Sequence, residues 1–236
     1  MLRRLIKART TGGVRAAARR LADELRYQRL HRASLKAARR YDGLTGLKLN
    51  VGCGPNPKRG WVNIDLNDTA DLRLDLREPL PFRDGAASFI YTEHFFEHLE
   101  FPAEAEAFLR EAVRVLAPGG TLSIGVPDAE GPLLFYAADV RAGEAERAAR
   151  AEARRRLSEG PHVMPVPGYV FGTPLHMVNW TFRQGTEHKY AYDFETLRGA
   201  LAGAGFVRVE RREFDPELDS ETRRKGTLYV HGRKPE

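Results

Sequence analysis

A glycine turn between two short aliphatic segments is the feature that most limits what this chain can fold into. The stretch "LNVGCGPNPKRGWVNIDL" covers residues 49–66: an apolar segment runs into the Gly-Cys-Gly turn at 52–54, and a second one ends at Asp65. Such a turn normally opens a helix whose N-terminus faces an anionic ligand. Here Pro55 and Pro57 stand where that helix would run. The sequence therefore predicts a strand, a turn and a second strand, with the first helix cut short.

Beyond the turn, segments typical of strands alternate with segments typical of helices. We expect strands at 46–52, 61–66, 70–76, 87–93, 121–127, 206–214 and 226–234, and helices at 103–116 and 193–205. This alternation is the pattern of a largely parallel sheet covered by helices. The predicted fold class is therefore α/β, with a Rossmann-like seven-stranded sheet and helices on both faces.

Two segments do not follow the alternation, and they set the predicted domain organisation. Residues 1–45 form a basic helical arm, because the first 47 residues carry a net charge of about +10 whereas the rest of the chain carries about −4. We expect this arm to be an amphipathic helix that packs through Leu21, Leu25 and Leu30, or a segment that meets phosphates or a membrane surface. Residues 128–192 form a lid inserted into the 46–236 domain: a helix-prone segment at 141–158, then a long loop.

Composition excludes several classes of protein. Cys53 is the only cysteine in the sequence, so an intramolecular disulfide and a cysteine-based metal site are excluded. We expect no metal site among the seven histidines. The sequence has no apolar run near the roughly 20 residues that a membrane-spanning helix needs, and no secretory signal. We therefore expect a cytoplasmic protein.

The spacing around the turn argues against a dinucleotide. A dinucleotide site needs a third glycine for pyrophosphate binding and close packing, but Pro57 occupies that position. It also needs an acid about 20 residues further on, whereas Asp65 follows Gly54 much sooner. A ligand with a ribose but no phosphate requires only the turn and the carboxylate. S-adenosylmethionine has those requirements.

Five segments, taken in order, resemble the class I S-adenosylmethionine-dependent methyltransferases over about residues 46–234. They are "NVGCG", the acid after the second strand, "YTEHFFEHL", "REAVRVLAPGGTLSIGVP", and "ETLRGALAGAGF" with "GTLYVHGRK". The shortened first helix departs from the usual pattern and is shared with some uncharacterised bacterial branches of that family. The resemblance implies that Asp65 binds the ribose, that Asp75 approaches the adenine amine, and that Leu76 lies beside the ring. The whole implied cofactor set is Asn50, Gly52, Cys53, Gly54, Asp65, Asp75, Leu76 and Glu93.

The same resemblance places His94 near the sulfonium, as a wall of the pocket or as a general base. Glu97 and His98 are expected to fix the start of a helix. In the lid, Trp and Tyr offer flat faces with a polar group, while His and Arg can orient hydroxyl or carboxylate groups. His188 is the second candidate for catalysis there, and a lid that only packs is the alternative. The candidate acceptor-binding residues are His176, Trp180, Arg183, Tyr190 and Tyr192.

The resulting functional prediction is methyl transfer from S-adenosylmethionine to a small polar or sugar-like acceptor. Methyl transfer from a sulfonium mainly needs alignment of donor and acceptor, so it requires no catalytic triad. Two other classes remain open. The chain could bind S-adenosylmethionine without turnover, or it could bind nucleic acid through its basic arm, although no nucleic-acid-reading motif is present.

Overall fold

The computed structural model of the protein describes residues 10–143, Glu146 and residues 173–236. Its strands are β1 (Leu47–Val51), β2 (Val62–Asp65), β3 (Leu72–Arg73), β4 (Ala87–Glu93), β5 (Leu116–Pro127), β6 (Val207–Arg211) and β7 (Thr227–Arg233). Its α-helices are α1 (Gly12–Ala38), α2 (Ala103–Val115), α3 (Glu130–Arg141), α4 (Pro174–Arg183) and α5 (Phe194–Gly203). Short 3-10 turns lie at Arg39–Tyr41, Phe96–His98 and Glu221–Arg223.

The seven strands form one sheet in the order β3-β2-β1-β4-β5-β7-β6. Strands β1 to β5 pair in parallel, and β7 runs antiparallel to both β5 and β6. The predicted seven-stranded α/β sheet is confirmed. The strand order reverses direction between β1 and β4, and in open α/β sheets such a reversal opens a crevice beyond the carboxyl ends of the strands.

One face of the sheet carries the main apolar core. Leu49, Ile90 and Leu122, on three neighbouring strands, are completely buried there. Leu109 of α2 and Leu197 of α5 belong to the same cluster. The spacing of apolar residues in both helices predicts this packing, because residues three and four apart share a helix face.

Loop residues contact the opposite face. The Trp61 ring packs edge-on against Phe89 and Tyr91, at centroid distances of 5.7 and 6.4 Å. Arg212 lies 4.5 Å over the ring of Tyr229. This face is therefore built from aromatic rings with cations above them.

The connection from β1 to β2 consists of turns and contains no helix, as the two prolines predict. The Asn63 side chain holds this connection together. Its Oδ1 accepts hydrogen bonds from the Lys58 amide at 2.7 Å and from Asn50 Nδ2 at 2.9 Å, and its Nδ2 donates to the Lys58 carbonyl at 3.0 Å. The buried side-chain amide of Asn63 thus forms hydrogen bonds with backbone groups of the loop, which would pair with each other if the loop were a helix.

The N-terminal arm is helical, but its packing differs from the expectation. Leu21 and Leu25 are exposed, so the predicted contact through them is wrong. The helix instead packs through small residues near its end: Ala38 is buried in the core, and Ser34 Oγ accepts a hydrogen bond of 2.8 Å from the Arg73 amide of β3. Small side chains let the helix backbone lie close to the strand. No helix in the described part of the chain combines the length and apolarity needed to span a membrane.

Three elements differ from the sequence prediction. Strand β3 is limited to Leu72–Arg73, and β5 begins at Leu116, directly after α2, without a separating turn. Within 128–192, α4 is a helix where a loop was expected. Pro174 begins α4 at a position that tolerates proline, and Thr173 caps it by accepting from the His176 amide at 3.2 Å. The helix predicted at 141–158 lies almost wholly outside the described residues.

Candidate functional site

The glycine turn and Asp65 form one structural unit at the carboxyl end of β1 and β2. The amide of Gly54 donates to Asp65 Oδ2 at 2.9 Å, and the amide of Asn67 donates to Oδ1 at 3.0 Å. Gly52 has a φ of +67°, and a Cβ added there would lie 2.5 Å from Phe95 Cγ. The turn therefore needs glycine at 52 for its backbone conformation and for the close approach of the Phe95 ring.

A cavity of about 530 Å³ opens beside this unit. Its walls include two acids, Asp65 and Asp75, and the apolar side chains of Leu66, Leu76 and Phe95. His98 and the backbone segment 186–189 close the side toward the lid. The cavity thus combines carboxylates with a flat apolar wall at the edge where parallel sheets bind ligands.

Asp75 is tied to the N-terminal helix through an arginine. Arg77 Nη2 lies 2.6 Å from Asp75 Oδ2 and 2.6 Å from Glu24 Oε2 of α1. Burial alone would raise the pKa of Asp75, but the hydrogen bonds from Arg77 outweigh burial and lower it. Asp75 is therefore an ionised wall of the cavity, and α1 contributes to that wall.

A second cavity, of about 400 Å³, lies on the other side of the turn. It is lined by Asn50, Gly52, Cys53, Glu93 and Arg223, among others. Burial, and then the charge of Asp65, raise the pKa of Cys53 to about 11, so its thiol stays protonated near neutral pH. The Asn50 side chain donates to the Asn56 carbonyl and to Asn63. Its amide protons are thereby used inside the protein.

Glu93 and His94 mark the end of β4. Glu93 Oε1 accepts from the Ser220 amide at 3.1 Å and from the Tyr229 hydroxyl at 3.2 Å, and burial raises its pKa. His94 has a left-handed φ of 54° and is almost fully buried. Burial, and then the charge of Arg223, hold the pKa of His94 well below its ordinary value. The imidazole is therefore neutral.

The structure brings His188 of the lid to His94, Glu97 and His98, which are already neighbours in the sequence. The Glu97 carboxylate is buried, and Oε1 lies 3.7 Å from His94 Nδ1, 3.8 Å from His98 Nε2 and 3.8 Å from His188 Nε2. Burial raises the pKa of Glu97 to about 8 and lowers the pKa of both His98 and His188. The backbone docks as well: the Lys189 amide donates to the Glu97 carbonyl at 2.8 Å.

The predicted acceptor residues do not gather around either cavity. Tyr192 is fully buried, with its ring centroid 5.1 Å from that of Phe96, and Tyr190 stacks on Phe101 at 4.3 Å. His176 and Arg183 are exposed on α4, and Trp180 is half-buried there. Neither cavity described above has any of the five in its wall. The lid residues that do reach the larger cavity are Thr186, Glu187 and Lys189.

Residues 58–124, just under a third of the chain, match the methyltransferase domain family. The match spans β2 to most of β5 and includes Asp65, Asp75, Glu97 and its neighbours His94 and His98, but not His188. The chain therefore contains a segment that is similar to a methyltransferase domain, in agreement with the resemblance found in the sequence. The antiparallel strand β7, which lies between β5 and β6, completes the sheet that the resemblance implies.

Solved structures similar to this chain are distant in sequence. One is a methyltransferase from Methanosarcina mazei, with 16% identity over 84% of this chain and 97% of that one, at a TM-score of 0.47. Another, described as a possible histamine N-methyltransferase from Thermotoga maritima, has 17% identity over 92% and 96%, at 0.44. A third is phosphoethanolamine N-methyltransferase 2 of Haemonchus contortus, solved with S-adenosylhomocysteine, at 11% identity over 87% and 53%, and 0.43. No curated protein matches the chain.

Proposed function

We propose that this chain is a methyltransferase that transfers the methyl group of S-adenosylmethionine to a hydroxyl of a small polar or sugar-like acceptor. The observation that carries the proposal is the cavity beside the turn, where a carboxylate fixed by the Gly54 amide faces apolar walls and His98. The wall of the cavity includes an acid for ribose hydroxyls and one member of the histidine cluster, His98. Both parts of a methyl-transfer site are thereby provided.

The residues of the cavity fit the adenosyl part of the cofactor. Asp65 already accepts two backbone hydrogen bonds, and a carboxylate has about four lone-pair sites, so it can also accept from two ribose hydroxyls. Leu76 and Phe95 offer an apolar surface to the adenine ring. We assign Asp75 to the adenine amine, as the resemblance implies; an adenine amine would share the Asp75 oxygens with Arg77, which already donates to both of them.

The methionyl part is assigned to the turn itself. Gly52 and Gly54 both have positive φ, which bares the backbone of the turn to a ligand. Cys53 is small enough for the turn and stays protonated, so we give it no chemical role. Glu93 supports the site from the second cavity, and Asn50 supports it through its bonds to the loop. Bound S-adenosylmethionine supplies a methyl group already activated by the sulfonium charge.

The histidine cluster favours a hydroxyl as the acceptor. A hydroxyl must lose its proton as its oxygen takes the methyl group, so a neutral imidazole near the acceptor is useful as a base. His94 and His188 are both buried with lowered pKa values and line neither cavity, so they can act on an acceptor only through the rest of the cluster. His98, which lines the cavity, lies next to them in the cluster. Positioning in such a site can supply roughly 7–11 kcal/mol of the barrier reduction.

The direct test is transfer of labelled methyl from S-adenosylmethionine to a panel of small hydroxylated and amine-bearing acceptors. We expect label on the hydroxylated compounds, with loss in Asp65→Ala and no effect in Asp68→Ala, an exposed neighbour. Label on amines alone would overturn the hydroxyl assignment. Cofactor binding without transfer to any acceptor would support the non-catalytic alternative.

The basic arm supports a second role, attachment to an anionic surface. Val14, Leu21 and Leu25 are exposed on α1 and fall on one helical face among arginines. That arrangement is typical of helices that lie on anionic membrane surfaces. Binding of the full chain to anionic and neutral vesicles at low and high salt tests it. Equal binding to both vesicle types would overturn the role, and a steep salt-dependent affinity for RNA would favour nucleic acid as the partner.

A further inference from the structure

The Glu97 carboxylate is surrounded by hydrogen-bond acceptors. Three imidazole nitrogens lie within 3.8 Å of Oε1, and neither carboxylate oxygen has a hydrogen-bond partner in another described residue. A buried polar group without a partner is costly, so such a group calls for an explanation.

In the His188 and His94 rings, the nitrogen that points away from Glu97 makes a hydrogen bond. That bond shows which ring nitrogen carries the proton, and therefore that the nitrogen facing Glu97 has only its lone pair. His188 Nδ1 lies 2.8 Å from the Thr181 carbonyl, which can only accept, so Nδ1 carries the proton and Nε2 is bare. His94 Nε2 lies 2.8 Å from Thr227 Oγ1, whose own proton goes to the Arg223 carbonyl. His94 Nε2 is therefore protonated, and its Nδ1 is bare as well.

Bare nitrogens that converge on a carboxylate can be paired with it by a proton or by a metal ion, and the geometry of the donors favours the metal ion. Glu97 Oε1, His98 Nε2 and His188 Nε2 all lie within 4.8 Å of one another. A tetrahedral zinc ion, with ligands at about 2.1 Å, separates neighbouring donors by roughly 3.4 Å. The two observed oxygen–nitrogen distances of 3.8 Å need only a small contraction to reach that spacing.

We propose that Glu97, His98 and His188 bind a divalent transition-metal ion, with zinc as the best fit to two imidazoles and one carboxylate. The bond from His188 Nδ1 to a backbone carbonyl is the support that metal-binding histidines usually have on their second nitrogen. Three protein ligands leave a coordination position open. The bare Nδ1 of His94 lies 3.7 Å from the same oxygen and is a further nitrogen beside the site.

Because of where the cluster lies in the fold, a bound ion would have two effects. Glu97 and His98 lie in the 3-10 turn after β4, whereas His188 lies at the end of the lid, so the ion would fasten the lid to the sheet edge. His98 also lines the cavity, so the open position faces it. Resting on the proposed function, we infer that an oxygen of the acceptor takes that position, where a metal ion favours its deprotonated form.

The test measures metal binding by itself, with no cofactor or acceptor present. Chelator-treated full-length protein is titrated with Zn²⁺ by calorimetry and with Co²⁺ by absorption. We expect one ion per chain, a tetrahedral Co²⁺ spectrum, and at least tenfold weaker binding in Glu97→Gln and His188→Ala. His176→Ala, which removes an exposed lid histidine, is the control and should bind within twofold of wild type. No Zn²⁺ binding by wild type, or unchanged binding in both cluster variants, would overturn the site.

Thermal unfolding distinguishes a metal ion bound at the cluster from a proton held on the buried Glu97 carboxyl group. In chelator, Glu97→Gln should be at least as stable as wild type, because its amide donates to the bare nitrogens. Added Zn²⁺ should raise the Tm of wild type and of His176→Ala but not that of Glu97→Gln. If Glu97→Gln fails to fold, His98→Gln serves instead, since the His98 side chain is 32% exposed. A chain that binds Zn²⁺ but methylates nothing would contradict the proposed function and leave this site intact.

Discussion

The amide of Gly54 donates a hydrogen bond of 2.9 Å to the carboxylate of Asp65, so the turn fixes the acid that follows it eleven residues later. The bond joins the end of β1 to the end of β2 without any intervening helix. Because both elements are held, the carboxylate is oriented before a ligand arrives. Such preorganisation lowers the entropy cost of binding.

The first prediction concerns this acid. Asp65→Ala should weaken binding of S-adenosylhomocysteine by about 1.5–3 kcal/mol, since a charged hydrogen-bond acceptor is lost. Calorimetry gives the affinity, with Asp68→Ala as the exposed control. NAD should not bind to any of these proteins. An Asp65→Ala protein that folds and keeps wild-type affinity would contradict the ribose assignment.

Two glycines of the turn should respond differently to alanine. A Cβ added at Gly54 would lie more than 4 Å from any other atom, but Gly54 has a φ of +53°, which is unfavourable for alanine. We therefore expect Gly54→Ala to lower the free energy of unfolding by about 1–2 kcal/mol. Gly52→Ala adds the clash with Phe95 at 2.5 Å, worth roughly a further 1–3 kcal/mol. Urea denaturation of both variants measures the difference. Equal losses would mean that Phe95 moves aside freely.

The Arg77–Asp75 pair predicts a pH-dependent stability. The pKa of Asp75 is lowered in the folded protein, so its contribution is present above the ordinary value of 3.8 and is lost as the pH falls through the lowered pKa. Arg77→Ala should therefore destabilise the protein at pH 7 and much less below pH 3. Arg110→Ala, which removes an exposed helical pair with Glu106, is the control and should show little at either pH.

Ser34 tests whether α1 is part of the domain. Its buried hydroxyl accepts from the Arg73 amide at 2.8 Å, and Ser34→Ala leaves that amide without its partner. We expect a loss of about 1–3 kcal/mol by chemical denaturation. Gln28→Ala, at an exposed position of the same helix, should cost under about 0.5 kcal/mol. Equal effects would mean that α1 only rests on the surface.

Tyr192 separates a packing role in the lid from a binding role. Its hydroxyl is buried with no hydrogen-bond partner among the described residues, so Tyr192→Phe should keep or raise stability. Methyl transfer should stay within twofold of wild type if the ring only packs on Phe96. A large fall in transfer with unchanged cofactor affinity would restore Tyr192 as an acceptor ligand.

The sheet could be predicted from the sequence because its signals are local. Aliphatic runs, the glycine turn and the Asp193 cap, which accepts from the Thr196 amide at 2.8 Å, each depend on a few neighbouring residues. Helix α4 also had a local signal, Thr173 followed by proline, that was outweighed by the prolines and glycines around it. The prediction that α1 packs through Leu21 and Leu25 was wrong because apolar periodicity identifies a helix face but does not show whether another element covers that face.

Spacing predicts only part of the histidine cluster: His94 and His98 are four residues apart and frame Glu97, whereas nothing local points to His188. Glu97 and His188 are separated by about ninety residues, and the Lys189 amide bonded to the Glu97 carbonyl is what brings them together. A search for two histidines one helical turn apart tests only local pairs. Three-dimensional proximity at a strand end depends instead on how the lid returns to the sheet, which the described helix α4 and the segment after it determine.

The Asn63 side chain also limits how this chain can vary in length. Asn50 and Asn63 face each other across the β1–β2 ladder, and the same amide grips Lys58 within the intervening loop. An inserted residue would leave the ladder intact but pull Lys58 away from the amide, so insertions here should be selected against even though the loop is at the surface. Restoring a full first helix would require replacing Asn63 at the same time. The short loop and its asparagine therefore form a coupled trait, to be gained or lost together.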